Sequence, residues 1–192
     1  MKNNLKELIT DEMSQKIIET AEELAHSSGV ESVNVRKLLQ VLNITNRVFY
    51  NRFHNIEEVL DIIYQRTSLK IRESVLDKFD KNKDFFEEVI DIVANTLIKS
   101  YENKENLNQF IFESDSNSNS NYFWWKEEIS KIIEYGKKIG VLKDIDTDKM
   151  SYSIWCFIRG YNADALGRGM NKEEAVNNFK YSFGILLDGM KK

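Results

Sequence analysis

Residues 34–60 have the sequence NVRKLLQVLNITNRVFYNRFHNIEEVL, which predicts a short helix, a three-residue turn, a second short helix and the start of a third. Apolar residues in the first part recur at spacings of three and four, as on one buried helical face. The window from Ser32 to Ile56 contains no acidic residue. Two short helices with local positive charge suit a helix-turn-helix that binds DNA. The four basic residues of the window are Arg36, Lys37, Arg47 and Arg52.

The second helix of this pair has the composition of a base-contacting element. With roughly 100° between successive residues, Phe49 and Phe53 fall on one side of the helix and the polar side chains fall on another. Asparagine and arginine can each make two hydrogen bonds to a base edge, and tyrosine can donate to a phosphate. We therefore predict a DNA-contacting surface that also includes residues flanking both helices. Its members are Asn34, Arg36, Thr45, Asn46, Arg47, Tyr50, Asn51 and His54.

Polar residues mark where several helices begin. The hydroxyl of Thr45 is expected to cap the second short helix, and either Thr10 or Asp11 is expected to cap the first helix of the chain. Asn55 to Glu58 has the pattern of a capping box, in which the Glu58 side chain reaches back to Asn55. The helix that begins there is expected to run to about residue 79 and to connect two domains.

The helix pair also has an ordinary structural interpretation. Short amphipathic helix pairs are common in all-helical proteins, so the pattern alone is a weak signal. An acid-free window with four basic residues can equally be a solvated surface. The local pattern by itself therefore leaves DNA binding and a purely structural role both open.

The segment from Met13 to Leu60 resembles the DNA-binding region of the TetR family of bacterial transcriptional regulators. It has the family's order of helix, glycine, short helix, turn, Tyr-x-x-Phe and Glu-Glu-x-Leu. Two positions depart from the family pattern. Arg47 stands where the family often has glycine, and Ile56 stands where it often has lysine, so one phosphate contact that the resemblance implies is missing. The matching positions are Gly29, Val35, Ile44, Tyr50, Phe53, Glu57 and Leu60.

The resemblance implies a homodimer that binds a palindromic operator in double-stranded DNA. In the family, the last two helices pair with their copies across a twofold axis. Here these helices are expected at about 147–167 and from Asn171 onward, and their apolar content exceeds one narrow stripe, which suggests a second buried surface. The expected interface residues are Phe157, Val176, Phe179, Phe183, Leu186 and Leu187.

The resemblance also implies a small-molecule effector, bound among the helices from about 84 to 168. The candidate walls are aromatic, so we expect a largely hydrophobic effector that releases a repressor from its operator, although each aromatic is also a candidate for plain core packing. Residues 114–121, SDSNSNSN, are expected to form a polar loop beside this region. The candidate contacts are Phe110, Glu113, Trp125, Trp155, Arg159 and Tyr161, with Asp115 as a further polar anchor.

The composition favours a helical, cytoplasmic protein. The 192 residues include no proline and eight glycines, which favours long helices over sheets. No run approaches the roughly 18 apolar residues of a membrane span, and the one cysteine, Cys156, fits a reducing compartment. We predict an all-α fold: a three-helix helix-turn-helix domain at residues 1–55, and a larger helical ligand-binding and dimerisation domain at residues 56–192, with helix 56–79 connecting the two.

Other classes of function fit the sequence less well. The net charge is −4, so any affinity for DNA must come from local charge. An enzyme is disfavoured because the chain has two distant histidines, no nucleotide-binding glycine loop and no metal-spaced cluster. Neither a cofactor nor a metal is expected. The main alternative is a helical adaptor or co-regulator on the same fold, which acts through a protein partner and binds DNA weakly or not at all.

Overall fold

The protein is built from α-helices. The structure, a computed structural model, describes residues 8–73, 75, 79–102, 105–117 and 119–192, without the side chains of residues 105–109 and 117. Within these ranges there is no β-strand, and no helix is long and apolar enough to cross a membrane. The predicted all-α fold class is confirmed. The helices are α1 (Glu12–Ser28), α2 (Val35–Leu42), α3 (Asn46–Tyr50), α4 (Ile56–Glu73), α5 (Phe85–Glu102), α6 (Glu105–Asn117), α7 (Asn119–Lys138), α8 (Thr147–Gly167) and α9 (Lys172–Asp188).

The chain divides into two compact units, one up to Thr67 and one from Ser68 onward. The division lies inside α4, so this helix contributes residues to both units. The domain boundary that we place after residue 55 stays a prediction. The described part of α4 ends at Glu73, and the remaining residues of its expected course to residue 79 lie mostly outside the described ranges.

The first unit packs α1, α2, α3 and the beginning of α4 around a small apolar core. Helix α1 begins at Asp11, whose carboxylate accepts a hydrogen bond from the backbone N–H of Ser14, while the Ser14 hydroxyl accepts one from the Asp11 N–H. This reciprocal cap selects Asp11 over Thr10. The buried residues lie at helical spacing, as the sequence predicts. They are Ile17, Ile18, Ala21, Ala25, Leu38, Phe49, Phe53, Val59, Ile63 and Tyr64.

The turn between α2 and α3 is set by Asn43. This residue adopts the left-handed conformation with φ 51°, which asparagine tolerates better than most residues because its short side chain is polar. Two cap predictions need correction. The Thr45 side chain makes no capping hydrogen bond to α3. Asn55 does cap α4 by accepting from the Glu58 N–H, but the Glu58 carboxylate accepts from the N–H of His54 at 2.7 Å, one residue before the expected partner.

The second unit has a larger core, formed mainly by α5, α7, α8 and α9. Phe179 and Phe183 are fully buried on α9 and stack on each other with ring centroids 5.3 Å apart. Gly136 on α7 allows a close approach, because a Cβ atom there would lie 2.7 Å from both Leu142 and Phe85. These contacts hold the helices of the second unit together.

The expected polar loop at residues 114–121 is wrong. Residues 114–117 complete α6, and residues 119–121 begin α7; Ser118 lies outside the described residues. Tertiary hydrogen bonds explain the difference. Asn121 is buried and accepts from the Arg72 guanidinium at 2.6 and 2.8 Å, and the Asn121 amide donates to Asp115 at 2.7 Å.

Candidate DNA-binding face and effector cavity

Helix α3 separates a polar face from an apolar one. Phe49 is completely buried and Phe53 is nearly so, which fixes α3 against the core of the first unit. The opposite face carries Asn46, Arg47 and Tyr50, all exposed, and the half-buried Asn51. The structure therefore brings the four residues of the predicted base-contacting face together at the surface. Their contact with DNA stays a prediction.

Three of the four basic residues of this region carry charge that is not paired with an acid. Arg36 and Arg47 are exposed and Lys37 is half-buried, and none has an ion-pair partner among the described residues. Arg52 differs. Its guanidinium donates to both carboxylate oxygens of Asp11, one of them at 2.8 Å, and to the backbone carbonyl of Val48. The local positive field therefore depends on three cations and not on four.

The Asp11–Arg52 pair shifts the titration of both groups. The hydrogen bond from Arg52, together with the Ser14 N–H, holds the pKa of the Asp11 carboxyl well below its usual range. Conversely, the Asp11 carboxylate raises the pKa of Arg52. The pair links the start of α1 to the end of α3, so we assign Arg52 to holding α3 in position.

The flanking residues of the predicted DNA surface have other hydrogen-bond partners. Asn34 is exposed, but its side-chain oxygen caps α2 by accepting from the Lys37 N–H at 3.0 Å. The ring of His54 contacts the Glu58 carboxylate, and the His54 N–H lowers the pKa of Glu58. A carboxylate beside the imidazole disfavours an approaching phosphate, and the contact of His54 with DNA stays a prediction.

A cavity of about 130 Å³ lies among α4, α5, α6, α7 and α8 of the second unit. Its wall is mostly apolar, and two indole rings, Trp125 and Trp155, lie in it with centroids 6.1 Å apart and nearly parallel planes. The neighbouring Trp124 lies under the Arg72 guanidinium at 5.1 Å. The aliphatic part of the wall includes Ile71, Ile92, Val93, Ile129, Ile132 and Ile158.

Three of the six predicted effector contacts line this cavity. Trp125, Trp155 and Arg159 do so, as does Asp115, the further polar anchor. Tyr161 does not, because its hydroxyl donates to the carbonyl of Ala175 at 2.8 Å and its ring packs against Phe179. Phe110 and Glu113 are likewise not among the described lining residues, and Glu113 is exposed. The cavity therefore does not support these last three assignments.

Sequence reasoning missed several polar residues of the cavity wall, and two of them have a buried side-chain atom without a hydrogen-bond partner among the described residues. Ser68 is 5% exposed and its hydroxyl has no hydrogen-bond partner among the described residues. The buried side-chain oxygen of Asn162 also has none. Ser68 lies four residues after the buried Tyr64, and Asn162 lies four residues after the buried Ile158. Helical periodicity therefore contained a signal for both, because one turn separates each from a core residue.

The predicted dimer surface needs partial correction. Phe179, Phe183 and Leu187 are buried in the core of the chain itself, so they cannot contact a second copy. Phe157, Val176 and Leu186 are half-buried. The outward apolar residues of the last two helices are Tyr152 and Cys156 on α8 and Tyr181 and Ile185 on α9.

The architecture matches solved structures along nearly the whole chain. A TetR-family transcriptional regulator from Pectobacterium atrosepticum superimposes with a TM-score of 0.73 at 15% identity, over 94% of each chain. A protein from Syntrophomonas wolfei assigned to the same family superimposes with a TM-score of 0.71 at 23% identity, over 92% of this chain and 94% of the other. The chain has the TetR-family fold. The cavity therefore lies in the larger helical part of a TetR fold, and α2 and α3 form its helix-turn-helix.

Sequence comparison adds a weaker relationship. No protein-family model matches the chain. The HTH-type dhaKLM operon transcriptional activator DhaS of Lactococcus lactis is 28% identical over 140 residues, which are 64% of this chain and 73% of that protein. The two solved structures described above and this sequence relative are all named as transcriptional regulators.

Proposed function

We propose that the chain is a TetR-family transcriptional regulator, which binds a palindromic operator as a homodimer and is released from it by a small molecule. The observation that carries the proposal is the exposed face of α3. It combines Asn46, Arg47 and Tyr50 on a helix whose other face is anchored by the buried Phe49. Such a face can place side chains that make bidentate hydrogen bonds to base edges in the major groove.

A twofold dimer would present two copies of α3 to one side of the duplex. Half-sites one turn apart require the two helices to be about 34 Å apart. The outward apolar residues of α8 and α9 would supply the dimer contact, since Tyr181 and Ile185 are 73% and 55% exposed in the protomer. Large apolar side chains at one i, i+4 spacing on a helix surface favour association with another helix.

The cavity of the second unit would bind the effector. It is mostly apolar and adjoins α4, the helix that contributes residues to both units. An effector alters DNA binding only if it binds the DNA-incompetent form more tightly than the competent form. The proposal is therefore that occupation of the cavity favours an arrangement of α4 in which the two recognition helices no longer fit the operator.

The direct test is binding of the full-length protein to the DNA upstream of its own gene at several salt concentrations, with footprinting. We expect a specific complex whose affinity falls steeply with salt, because cationic side chains displace counterions from the phosphates. If no specific complex forms below micromolar protein at any salt concentration, DNA binding is excluded as the function.

Substitutions on α3 test the assigned face. Arg47→Ala should weaken operator binding by roughly tenfold or more and reduce the slope of affinity against salt by about two, that is about one for each copy in the dimer. Tyr50→Ala should weaken binding without a change of charge. Arg168→Ala is the matched control, because it removes the same charge from an exposed site in the second unit. Unchanged affinity in both α3 variants, with folding intact, would refute this face.

The sign of regulation needs a second measurement. We favour repression, whereas the relative from Lactococcus lactis is named an activator. A reporter gene placed downstream of the footprinted site, in cells with and without the protein, distinguishes repression from activation. Higher reporter expression without the protein supports repression, and lower expression supports activation.

The adaptor remains the second candidate function. It is favoured by Ile56, which lacks the charge expected there, and by Arg52, whose charge is taken up by Asp11. An adaptor would give no salt-dependent operator complex but would still occupy its cavity and form its dimer. The binding measurement above therefore separates the two candidates.

A further inference from the structure

The polar groups of the cavity wall define which small molecule fits, given the proposed effector function. The charged side chains among the described lining residues already have partners. The Arg159 guanidinium lies 4.1 Å above the Phe112 ring and donates to the Phe112 carbonyl and to the Ser116 hydroxyl. Glu128 pairs with Lys131 at 2.7 Å, and Asp115 accepts from Asn121. A cation would therefore have to displace the partner of Glu128 or Asp115. The Arg159 guanidinium is already held by two oxygen acceptors and a ring, and burying a further charge against this mostly apolar wall is costly.

Two hydroxyls of the wall are satisfied by their own helix. Thr96 donates to the carbonyl of Val93 at 2.7 Å, and Ser100 donates to the carbonyl of Thr96 at 3.0 Å. Both residues lie on α5 and line the cavity. Neither hydroxyl therefore requires a hydrogen bond from a ligand.

The polar side-chain atoms of Ser68 and Asn162, in contrast, lack a hydrogen-bond partner among the described residues. The Ser68 hydroxyl lies on α4 in a residue that is 95% buried, and it makes no hydrogen bond within the described residues. The side-chain oxygen of Asn162, on α8, is buried and likewise accepts none there. Buried polar groups in folded proteins are nearly always hydrogen-bonded. Both residues line the cavity, so a ligand that supplies a donor to Asn162 and a polar atom to Ser68 would satisfy both groups.

The volume limits the size of the ligand. An engineered apolar cavity of about 150 Å³ binds benzene, and the cavity here is about 130 Å³. One six-membered ring with a small substituent therefore fills the space without rearrangement. The indoles of Trp125 and Trp155 and the isoleucines of the wall provide the apolar surface for such a ring.

We propose that the cavity binds an uncharged single-ring molecule with a hydroxyl group, of the phenol class, whose hydroxyl hydrogen-bonds to Ser68 and Asn162. This inference rests on the proposed effector site and names its ligand class. It assigns Ser68 and Asn162 as the residues that select a hydroxyl over a methyl group of the same size.

Three probes of similar size test the ligand class by calorimetry on the full-length protein at neutral pH. Phenol supplies a neutral donor, toluene replaces the hydroxyl by a methyl group, and benzoate adds a charge. We expect phenol to bind roughly tenfold or more tightly than toluene, because toluene leaves two buried polar groups unsatisfied. Benzoate should bind more weakly than phenol. A purely apolar cavity would instead prefer toluene, and an anion site would prefer benzoate; either order overturns the proposal, as does the absence of binding by all three.

Two substitutions and a matched control test the assigned residues. Ser68→Ala and Asn162→Leu should each reduce the preference for phenol over toluene, and the double variant should reverse it. Ser130→Ala is the control, because it removes a hydroxyl that is bonded to its own helix and does not line the cavity; it should leave the preference unchanged. Circular dichroism checks that each variant folds, and Ser68→Ala, which removes one oxygen atom, serves as the test if Asn162→Leu does not fold. An unchanged preference in the folded variants refutes the assignment.

The result does not depend on DNA binding. The calorimetric experiment contains no operator, so failure of the regulator function leaves the phenol preference intact. Conversely, an operator complex with no phenol preference would overturn only this inference.

Discussion

At the scale of single residues, the positive charge that a basic side chain offers to DNA depends on whether it is already paired with an acid. The sequence window from Ser32 to Ile56 contains four basic residues and no acid, yet Asp11 pairs with Arg52 from outside it, 41 positions away in the chain. No periodicity rule connects residues at such a separation, so this pairing could not be predicted from the sequence. The consequence is that Arg47 is the cation on α3 that remains available to a phosphate or a base.

The Asp11–Arg52 pair predicts a specific pH dependence. Its hydrogen bonds lower the pKa of Asp11 in the folded protein below the usual 3.8. The stabilisation is therefore fully present above about pH 4 and is lost as the pH falls below the unfolded pKa. Asp11→Asn keeps a good helix cap but removes the charge. The variant should be less stable than the wild type at pH 7, and the difference should shrink between pH 4 and 3.

Urea unfolding at several pH values measures this effect. A difference between wild type and Asp11→Asn that stays constant from pH 7 to pH 3 would show that the pair contributes nothing through its charge. Lys16→Ala, which removes an exposed partner of Glu12 in α1, controls for general effects of altered charge.

Gly136 predicts a stability effect against the usual helix preference. Alanine is generally favoured over glycine in a helix by up to about 1 kcal/mol. At position 136, however, a Cβ atom would lie 2.7 Å from Leu142 and Phe85, so Gly136→Ala should destabilise the protein by about 1–3 kcal/mol through overpacking. Gly184→Ala is the matched control, because its Cβ would make an ordinary contact at 3.7 Å with Ile90. Chemical denaturation should give opposite signs for the two variants; destabilisation of equal size would contradict the steric explanation.

At the scale of elements, apolar periodicity predicts most helices. It does not predict a helix that is stabilised by hydrogen bonds to residues distant in the chain. The bounds of α8, Thr147–Gly167, agree with the sequence prediction because its apolar stripe and cap are local signals. The segment SDSNSNSN has no such stripe, and it is helical where the structure describes it. Its side chains are used by distant residues: Arg72 bonds to Asn121, and Arg159 bonds to Ser116. Composition alone does not reveal such partners.

The two short helices of the first unit differ in how they begin, and this predicts different costs for removing their cap residues. Asn34→Ala removes the hydrogen bond to the Lys37 N–H and should cost about 1 kcal/mol. Thr45→Ala removes no capping bond and should cost clearly less. Thermal and urea unfolding of the two variants measure the difference. Equal costs would show that Thr45 caps α3 in solution.

At the scale of the whole molecule, the sequence predicts the fold class and the outward face of α3 but assigns the surface of the last two helices incompletely. Apolar residues surround much of α8 and α9, and the pattern does not say which stripe faces the protomer core. Phe179 and Phe183 proved to face inward, whereas Tyr181 and Ile185, between and beside them, face outward. The same limit applies to the cavity, since its two unsatisfied polar groups come from α4 and α8, which are far apart in sequence.

The outward residues of α9 predict the behaviour of the assembly. Tyr181→Glu and Ile185→Glu should each shift a dimer towards monomer, because a charge would be buried in an apolar contact. Ile139→Glu, which changes an exposed isoleucine just after α7, should leave the dimer unchanged. Sedimentation velocity at micromolar protein concentration measures all three. A wild-type chain that is monomeric there would exclude dimer binding to a palindrome.

The positions of the tryptophans have a practical consequence. All three, Trp124, Trp125 and Trp155, belong to the second unit, and two of them line its cavity. Intrinsic fluorescence excited at the red edge of the indole band therefore follows only that unit and cannot detect melting of the helix-turn-helix. Compared with a whole-chain probe, the emission separates unfolding of the second unit from unfolding of the first without any added label.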